Sequence, residues 1–193
     1  MTTELTPPAA YAMACIESFL AGRTPPDPPD EPLFRRRAAC FVSLKKHGEL
    51  RGCIGTLTPA EPDLGHEIVR NAFGAAFRDP RFPPVWADEL PSLTCSVDVL
   101  GEPEDCTIDD LDPTRYGVIV SSGWRRGVLL PDLPGVDSVA RQVAIALQKA
   151  GIAPDEKFAV QRFTVRRYLQ DDPYGAECGT STCPPPGCIS ETT

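Results

Sequence analysis

The apolar residues change period once, abruptly, at Ala38, and that change limits the possible folds more than any other feature of the chain. Before it, Met13, Ile16, Phe19 and Leu20 recur at helical spacing. After it, Ala38, Cys40, Val42 and Leu44 alternate along one face of a strand, and Lys45-Lys46-His47-Gly48-Glu49 supplies turn chemistry. The return strand, Leu50–Leu57, reads Leu-Arg-Gly-Cys-Ile-Gly-Thr-Leu. Alternation puts Leu50, Gly52, Ile54 and Thr56 on one face and Arg51, Cys53, Gly55 and Leu57 on the other. Glycine weakens a strand, so two of them here predict a bulge or the close approach of another backbone or a ligand.

The flanking segments complete an α+β pattern. Thr6-Pro7-Pro8 opens a first helix with Thr6 as N-cap, ending at Gly22. Five prolines between Pro25 and Pro32 predict a stiff, extended connector. A helix from about Pro62 carries Leu64, Ile68, Ala72, Ala75 and Ala76 on one face and stops at Pro80. Leu93, Cys95, Val97 and Val99 read as a third strand, and Val118–Val120 with Val128–Leu130 flank a second hairpin turn at Ser122-Gly123. Asp137-Ser138 starts a long helix through Val139, Val143 and Leu147, closed by Gly151, and Lys157–Val165 is a last strand. Hairpins and helices in mixed order predict an antiparallel or mixed sheet with flanking helices, not a regular βαβ wind. At 193 residues one domain is expected over residues 1–170, with the Pro-rich insert at 24–32 and a flexible Cys/Pro-rich tail at 171–193.

A net charge of −8 argues against binding nucleic acid, which needs a basic surface. No apolar run reaches the length of a membrane span. Ala9–Ala21 is apolar enough to suggest a signal segment, but Glu17 interrupts it, Glu4 precedes it and no basic stretch leads it. A cytoplasmic protein is therefore expected, whose eight cysteines are thiols, ligands or redox groups rather than a disulfide framework.

Arg51 and Cys53 lie two positions apart, pointing the same way about 7 Å apart at the backbone. A neighbouring guanidinium favours thiolate, and Gly55 on the same face leaves room beside it. Cys53 is thus the candidate catalytic nucleophile and Arg51 the candidate anion anchor. The other account makes Cys53 a buried small hydrophobe, with Gly52 and Gly55 accommodating a helix. Further on, Arg78 complements the negative end of its helix and Asp79 pairs with an arginine; alternatively, Arg78 or Arg81 clamps an anion beside Arg51. Glu67, Asn71, Gly74 and Arg78 form a polar stripe, a pattern that is usually a solvated face. Only two histidines are present, His47 and His66, and nothing local brings His66 to Cys53 as a base. The body of the chain holds no phosphate-binding Gly-rich loop, dinucleotide fingerprint or zinc-finger spacing, so no cofactor is expected there. In the tail, Cys178, Cys183 and Cys188 are spaced C-x4-C-x4-C, which matches no common zinc or ferredoxin pattern. Three soft thiolates there suit Cu(I), a shared cluster or a reversible disulfide, or are incidental.

"LRGCIGTL", "AAFRDPRFPPV" and the later "YGVIV…GVLLP" followed by a helix ending "KAG" resemble the AMMECR-type domain family. Its prokaryotic members are called AmmeMemoRadiSam system protein A, and it includes the human Alport syndrome, midface hypoplasia and elliptocytosis region protein. The match runs in order from about Ala38 to Tyr168. It implies an α+β fold with an antiparallel sheet, flanking helices and a smaller subdomain, and a cleft that includes the Arg-Gly-Cys-Ile-Gly-Thr motif. The ligand-binding candidates are then Arg51, Gly52, Gly55, Thr56, Asn71, Arg78 and Arg81, holding a small anionic ligand or a peptide. The family's name implies a radical S-adenosylmethionine (SAM) enzyme and a Memo-like protein as partners, without fixing a reaction. A non-catalytic interaction scaffold and a thiol-dependent hydrolase or transferase using Cys53 are the alternatives. The chain departs from the family in its Pro-rich insert, its Cys-rich tail, and Asp132 where the family has glutamine.

Overall fold

The structure is a computed structural model and describes residues 6–172 and 174–179. In chain order the elements are α1 (Pro8–Leu20), α2 (Pro32–Arg35), β1 (Cys40–Lys46), β2 (Glu49–Gly55), α3 (Leu64–Phe77), β3 (Leu93–Leu100), β4 (Glu104–Asp105), β5 (Gly117–Ser122), β6 (Arg125–Leu129), α4 (Val139–Ala150), β7 (Ala159–Phe163), β8 (Val165–Leu169) and β9 (Ala176–Glu177). They form two units, one running to Val99 with Arg167–Gly175 and the other comprising Leu100–Arg166 with the residues from Ala176 on.

In the first unit β1 lies between β2 and β3, antiparallel to both. The β1–β2 turn is two residues, His47 at φ 54° and Gly48 at φ 85°. Two successive positive φ values match the strand twist and explain the tight return. One sheet face carries Cys40, Val42, Leu44, Cys95, Val97 and Val99, all buried with α1 and α3 in one core. Opposite Leu44 and Lys45 the register shifts, so Arg51 is the extra residue of a β-bulge. The alternation read from the sequence survives beyond it: Gly52 and Ile54 meet α3 at Ala75 and Gly74, whereas Arg51 and Cys53 bond to the segment after α3.

The two motif glycines have protein, not empty space, beside them. A Cβ on Gly52 would lie 2.1 Å from the Ala75 carbonyl oxygen, so α3 rests on the bare β2 backbone. A Cβ on Gly55 would lie 2.3 Å from the Phe41 ring and 2.7 Å from the Cys40 oxygen. The space expected beside Gly55 for a ligand is therefore filled by Phe41 of the neighbouring strand.

In the second unit the sheet order is β4-β7-β5-β6, and α4 packs Val143, Ala146 and Leu147 on Val118, Val120 and Leu129. Ser138 caps α4 by accepting the Arg141 amide, and Gly151 ends it at φ 64°. Three local expectations are revised. Pro7, not Thr6, is the N-cap of α1. The last strand breaks at Thr164 into β7 and β8. The tail keeps structure at its start: Cys178 is buried and its amide donates to the Val165 carbonyl (3.0 Å), while Arg166 pairs with Glu177 across β8 and β9. The Pro-rich insert is extended as read, and it is docked: the Tyr11 hydroxyl donates to the Pro26 carbonyl, and Pro28 fills the space over Gly65.

Because the Ala75 oxygen is backbone and cannot swing aside, Gly52→Ala is expected to cost about 1–3 kcal/mol. Urea denaturation checks it; an unchanged midpoint would mean that α3 does not rest on β2 as described.

Candidate functional site

Arg51 is held as a structural residue. Its Nε and Nη2 donate to the two Glu89 carboxylate oxygens (3.0 and 2.8 Å), and its Nη1 and Nη2 donate to the Pro83 and Pro84 carbonyls (2.9 and 3.2 Å). Lys46 and the Trp86 amide add two more bonds to Glu89. The guanidinium, expected as a ligand's anion anchor, instead ties the segment after α3 onto the bulge.

Cys53 lies one pleat further along. It is 8% exposed and accepts a bond from the Ser43 hydroxyl (3.2 Å) on the facing residue of β1. β2 is an edge strand, and its exposed backbone is covered at this point: the Cys53 amide donates to Asp79 Oδ2 (2.9 Å), and Arg81 Nη2 donates to the Cys53 carbonyl (3.4 Å). Arg81 also grips Asp79 at both oxygens (3.0 and 2.8 Å). Burial disfavours the Asp79 carboxylate, but the Arg81 side chain and the Cys53 and Arg81 amides outweigh it and hold its pKa below the usual value. Asp79-Pro80-Arg81 thus plugs the strand edge. On the same sheet face, Asp98 and Arg167 form a two-pronged ion pair (2.6 Å at each contact), both nearly sealed from solvent.

The expected activation of Cys53 by Arg51 is reversed. Burial pushes the Cys53 thiol up from its ordinary value, with Asp98 and Asp79 adding to the rise; Ser43 and Arg81 only partly oppose it. Arg81, not Arg51, is the cation acting on the sulfur. Asp63 caps α3 by accepting the His66 amide (2.9 Å), and the His66 ring meets the same oxygen (2.8 Å), so this histidine is held at the helix start rather than serving Cys53 as a base. Cys53 is therefore a neutral, sheltered thiol, poorly suited to nucleophilic attack.

Of the polar stripe on α3, Glu67, Asn71 and Gly74 are buried, and Arg78 alone is exposed. Glu67 is fully buried: it accepts the Ala60 and Glu61 amides (2.8 Å each) and the Thr56 hydroxyl, so it fastens the loop that leaves β2. Thr56, offered as a ligand contact, is thereby a loop anchor. Asn71 is 1% exposed and its Nδ2 donates to the Cys40 carbonyl (3.0 Å), while its Oδ1 has no hydrogen-bond partner among the described residues.

Asn71 and Arg78 do come together with the motif, in a groove of about 420 Å³ lined by Phe19, Ile54, Val69, Arg70, Asn71, Phe73, Gly74 and Arg78. Ile54 is the motif residue that faces it. Phe19 and Phe73 meet edge to face with centroids 5.1 Å apart, and the Arg78 guanidinium lies 4.8 Å from the Phe73 centroid. Phe73 and Arg70 were not singled out in the sequence, and Phe19 was placed in the apolar stripe of the first helix. Arg70 was recoverable, since it precedes Asn71 and sits one turn before Gly74; Phe19 reads only as core. A second concavity of about 610 Å³ on α4 is bordered by Val143, Leu147, Ile152 and Phe158, with Gln148 its one polar side chain. Among the described residues no three His, Cys, Asp or Glu side chains are grouped to hold a metal ion. Of the tail cysteines, Cys178 is buried, and Cys183 and Cys188 lie outside the described residues.

The Arg51–Glu89 knot has a pH signature. Hydrogen bonding from Arg51, reinforced by Lys46 and the Trp86 amide, holds the Glu89 carboxyl at about 2, against 4.5 for a free side chain. A depressed carboxyl stabilises the fold fully above its unfolded value and loses that contribution as pH falls through the folded one. Glu89→Gln is expected to lower urea stability at neutral pH, with the gap to the parent closing between about pH 4.5 and about pH 2. A gap constant across that range would contradict the assignment.

Comparison with known proteins identifies the family and the fold. The AMMECR1 family model matches residues 9–170. A protein from Thermotoga maritima is 50% identical over 168 residues, covering 84% of this chain and 97% of the relative. A Clostridium acetobutylicum protein is 48% identical over 145 residues, but this chain spans only 31% of its length. The crystal structure of an uncharacterized protein from Pyrococcus horikoshii superposes with a TM-score of 0.74 at 31% identity, covering 88% of this chain and 93% of that one. No helix among the described residues is long and apolar enough to cross a membrane. On motif, fold and match along most of its length, the chain belongs to the AMMECR1 family.

Proposed function

We propose that this protein is a ligand-binding component of a cytoplasmic modification system, acting beside a radical SAM enzyme and a Memo-like protein. Its ligand is a small anion with an apolar body, seated in the groove that Ile54 of the motif shares with α1 and α3. The observation that carries this is the groove itself. It joins half-buried apolar walls to the Arg78 guanidinium, which has no carboxylate partner among the described residues, whereas Arg51, Arg70 and Arg81 each have one. An arginine unpaired in a chain of net charge −8 and set at the lip of a groove is suited to an anion from solution. The volume lies in the usual range for small-molecule sites. The motif supplies one wall and the frame: Gly52 brings α3 onto β2, and Arg51 and Cys53 fasten the following segment. Binding is favoured over thiol catalysis because Cys53 is buried and protonated.

Thermal-shift titration with benzoate and inorganic phosphate tests the groove. Benzoate is expected to raise the melting temperature of the parent chain and to leave that of Arg78→Gln unchanged. No Arg78-dependent shift with either anion would overturn the binding role. Co-expression with the radical SAM enzyme and the Memo-like protein, followed by intact-mass analysis and size exclusion, tests the partners. Co-elution or a mass shift is expected; separate elution at unchanged masses would contradict it.

A further inference from the structure

Resting on that assignment of the groove as an anion site, we propose that its ligand is a carboxylate built on one flat aromatic ring and bearing an O–H or N–H donor at the far end of the ring. Three features of the groove each select one part of such a molecule.

The walls select the ring. Phe19 and Phe73 present aromatic surface at right angles to within 15°, and Ile54 and Val69 complete an apolar slot. Aromatic faces and edges arranged in this way favour a flat partner by offset or edge-to-face contact. Gly74 adds no side chain to the slot, and a Cβ there would meet Ile54 at 2.8 Å.

Arg78 selects the carboxylate. Its guanidinium rests against the Phe73 ring at the lip and is exposed, with no ion-pair partner among the described residues. A planar fork held by a ring is arranged for two-pronged bonding to a carboxylate.

Asn71 selects the donor. A buried amide oxygen without a partner costs stability and calls for an explanation. Its Nδ2 is already committed to the Cys40 carbonyl, so exchanging the two amide ends would face oxygen to oxygen. The acceptor Oδ1 is therefore the end left to meet a ligand, and only an O–H or N–H satisfies it.

Spacing places the two polar ends apart. Asn71 and Arg78, the C-cap residue that ends α3, are seven positions apart, about 10 Å of helix rise. The arginine side chain turns back over the Phe73 ring, with 4.8 Å to its centroid, and shortens that gap. One ring with substituents at opposite ends spans what remains.

The test uses three probes of nearly equal shape, titrated into the full chain by calorimetry. They are 4-hydroxyphenylacetate, 4-methylphenylacetate, which lacks the donor, and 4-hydroxyphenylethanol, which lacks the carboxylate. The first is expected to bind at least tenfold more tightly than either of the others. In Arg78→Gln, a surface change that leaves the core intact, the advantage over the alcohol should vanish while the advantage over the methyl analogue persists. Because the donor is removed from the probe, no substitution at buried Asn71 is needed. Equal affinity of the hydroxy and methyl acids, with dependence on Arg78 retained, would overturn the ligand class and leave the anion site standing. Absence of Arg78-dependent binding by these acids and by benzoate would overturn both.

Discussion

A helix lying on a strand that has no side chain beneath it sets the geometry of the first unit. The Ala75 carbonyl occupies the place where a Gly52 Cβ would be, and Gly74 reciprocates by leaving room for Ile54. These two contacts bring α3 closer to β2 than side-chain packing permits. Beside these contacts Ile54, Asn71 and Arg78 line one groove. The second unit uses the same device: a Cβ on Gly127 of β6 would lie 1.9 Å from the Ala146 carbonyl of α4. Two hairpins each receive a helix on a glycine in the return strand, in a chain with no sequence repeat to announce it.

Close approach alone would leave the edge of β2 open to other strands. The bulge at Arg51 and the plug formed by Asp79-Pro80-Arg81 close it, with Glu89 binding the far end of the same segment. The polar residues of the motif and of the segment after α3 are thus partners of one another. Cys53 lies between them as a small buried group, bonded to Ser43 and covered by Asp79 and Arg81. Five polar or thiol side chains on that sheet face, Ser43, Cys53, Asp79, Asp98 and Arg167, are almost sealed from solvent, and all are paired. Such pairing is required of buried polar groups and by itself implies no reaction.

Strands β1, β2, β3, β5, β6 and β7, the three long helices and the two hairpin turns were legible in the sequence because each depends on local period and turn chemistry, whereas β4, β8 and β9 were not. The α+β class and a hairpin turn within Lys45–Glu49 follow from the residues themselves, and the structure narrows that turn to His47-Gly48. Side-chain partners across distance were not legible. Arg51 and Glu89 are 38 positions apart, and no local rule pairs them, so a structural arginine resembled a free anion anchor. The polar stripe on α3 misled although the partners are near in sequence: Glu67 is buried because the Ala60 and Glu61 amides of the preceding loop turn back to it, which residue type and spacing do not reveal. Gly55 resembled an opening because a sequence does not reveal that Phe41 lies over it.

The central claim is that the motif frames a binding groove and that its cysteine is not a nucleophile. Titration of the Cys53 Cβ chemical shift in the full chain, from about pH 6 to about pH 10, tests it most directly. The account predicts that the thiol signature persists past the ordinary midpoint of 9.0, because burial and two carboxylates oppose the thiolate. A midpoint below about pH 7 would show an activated cysteine and contradict the account.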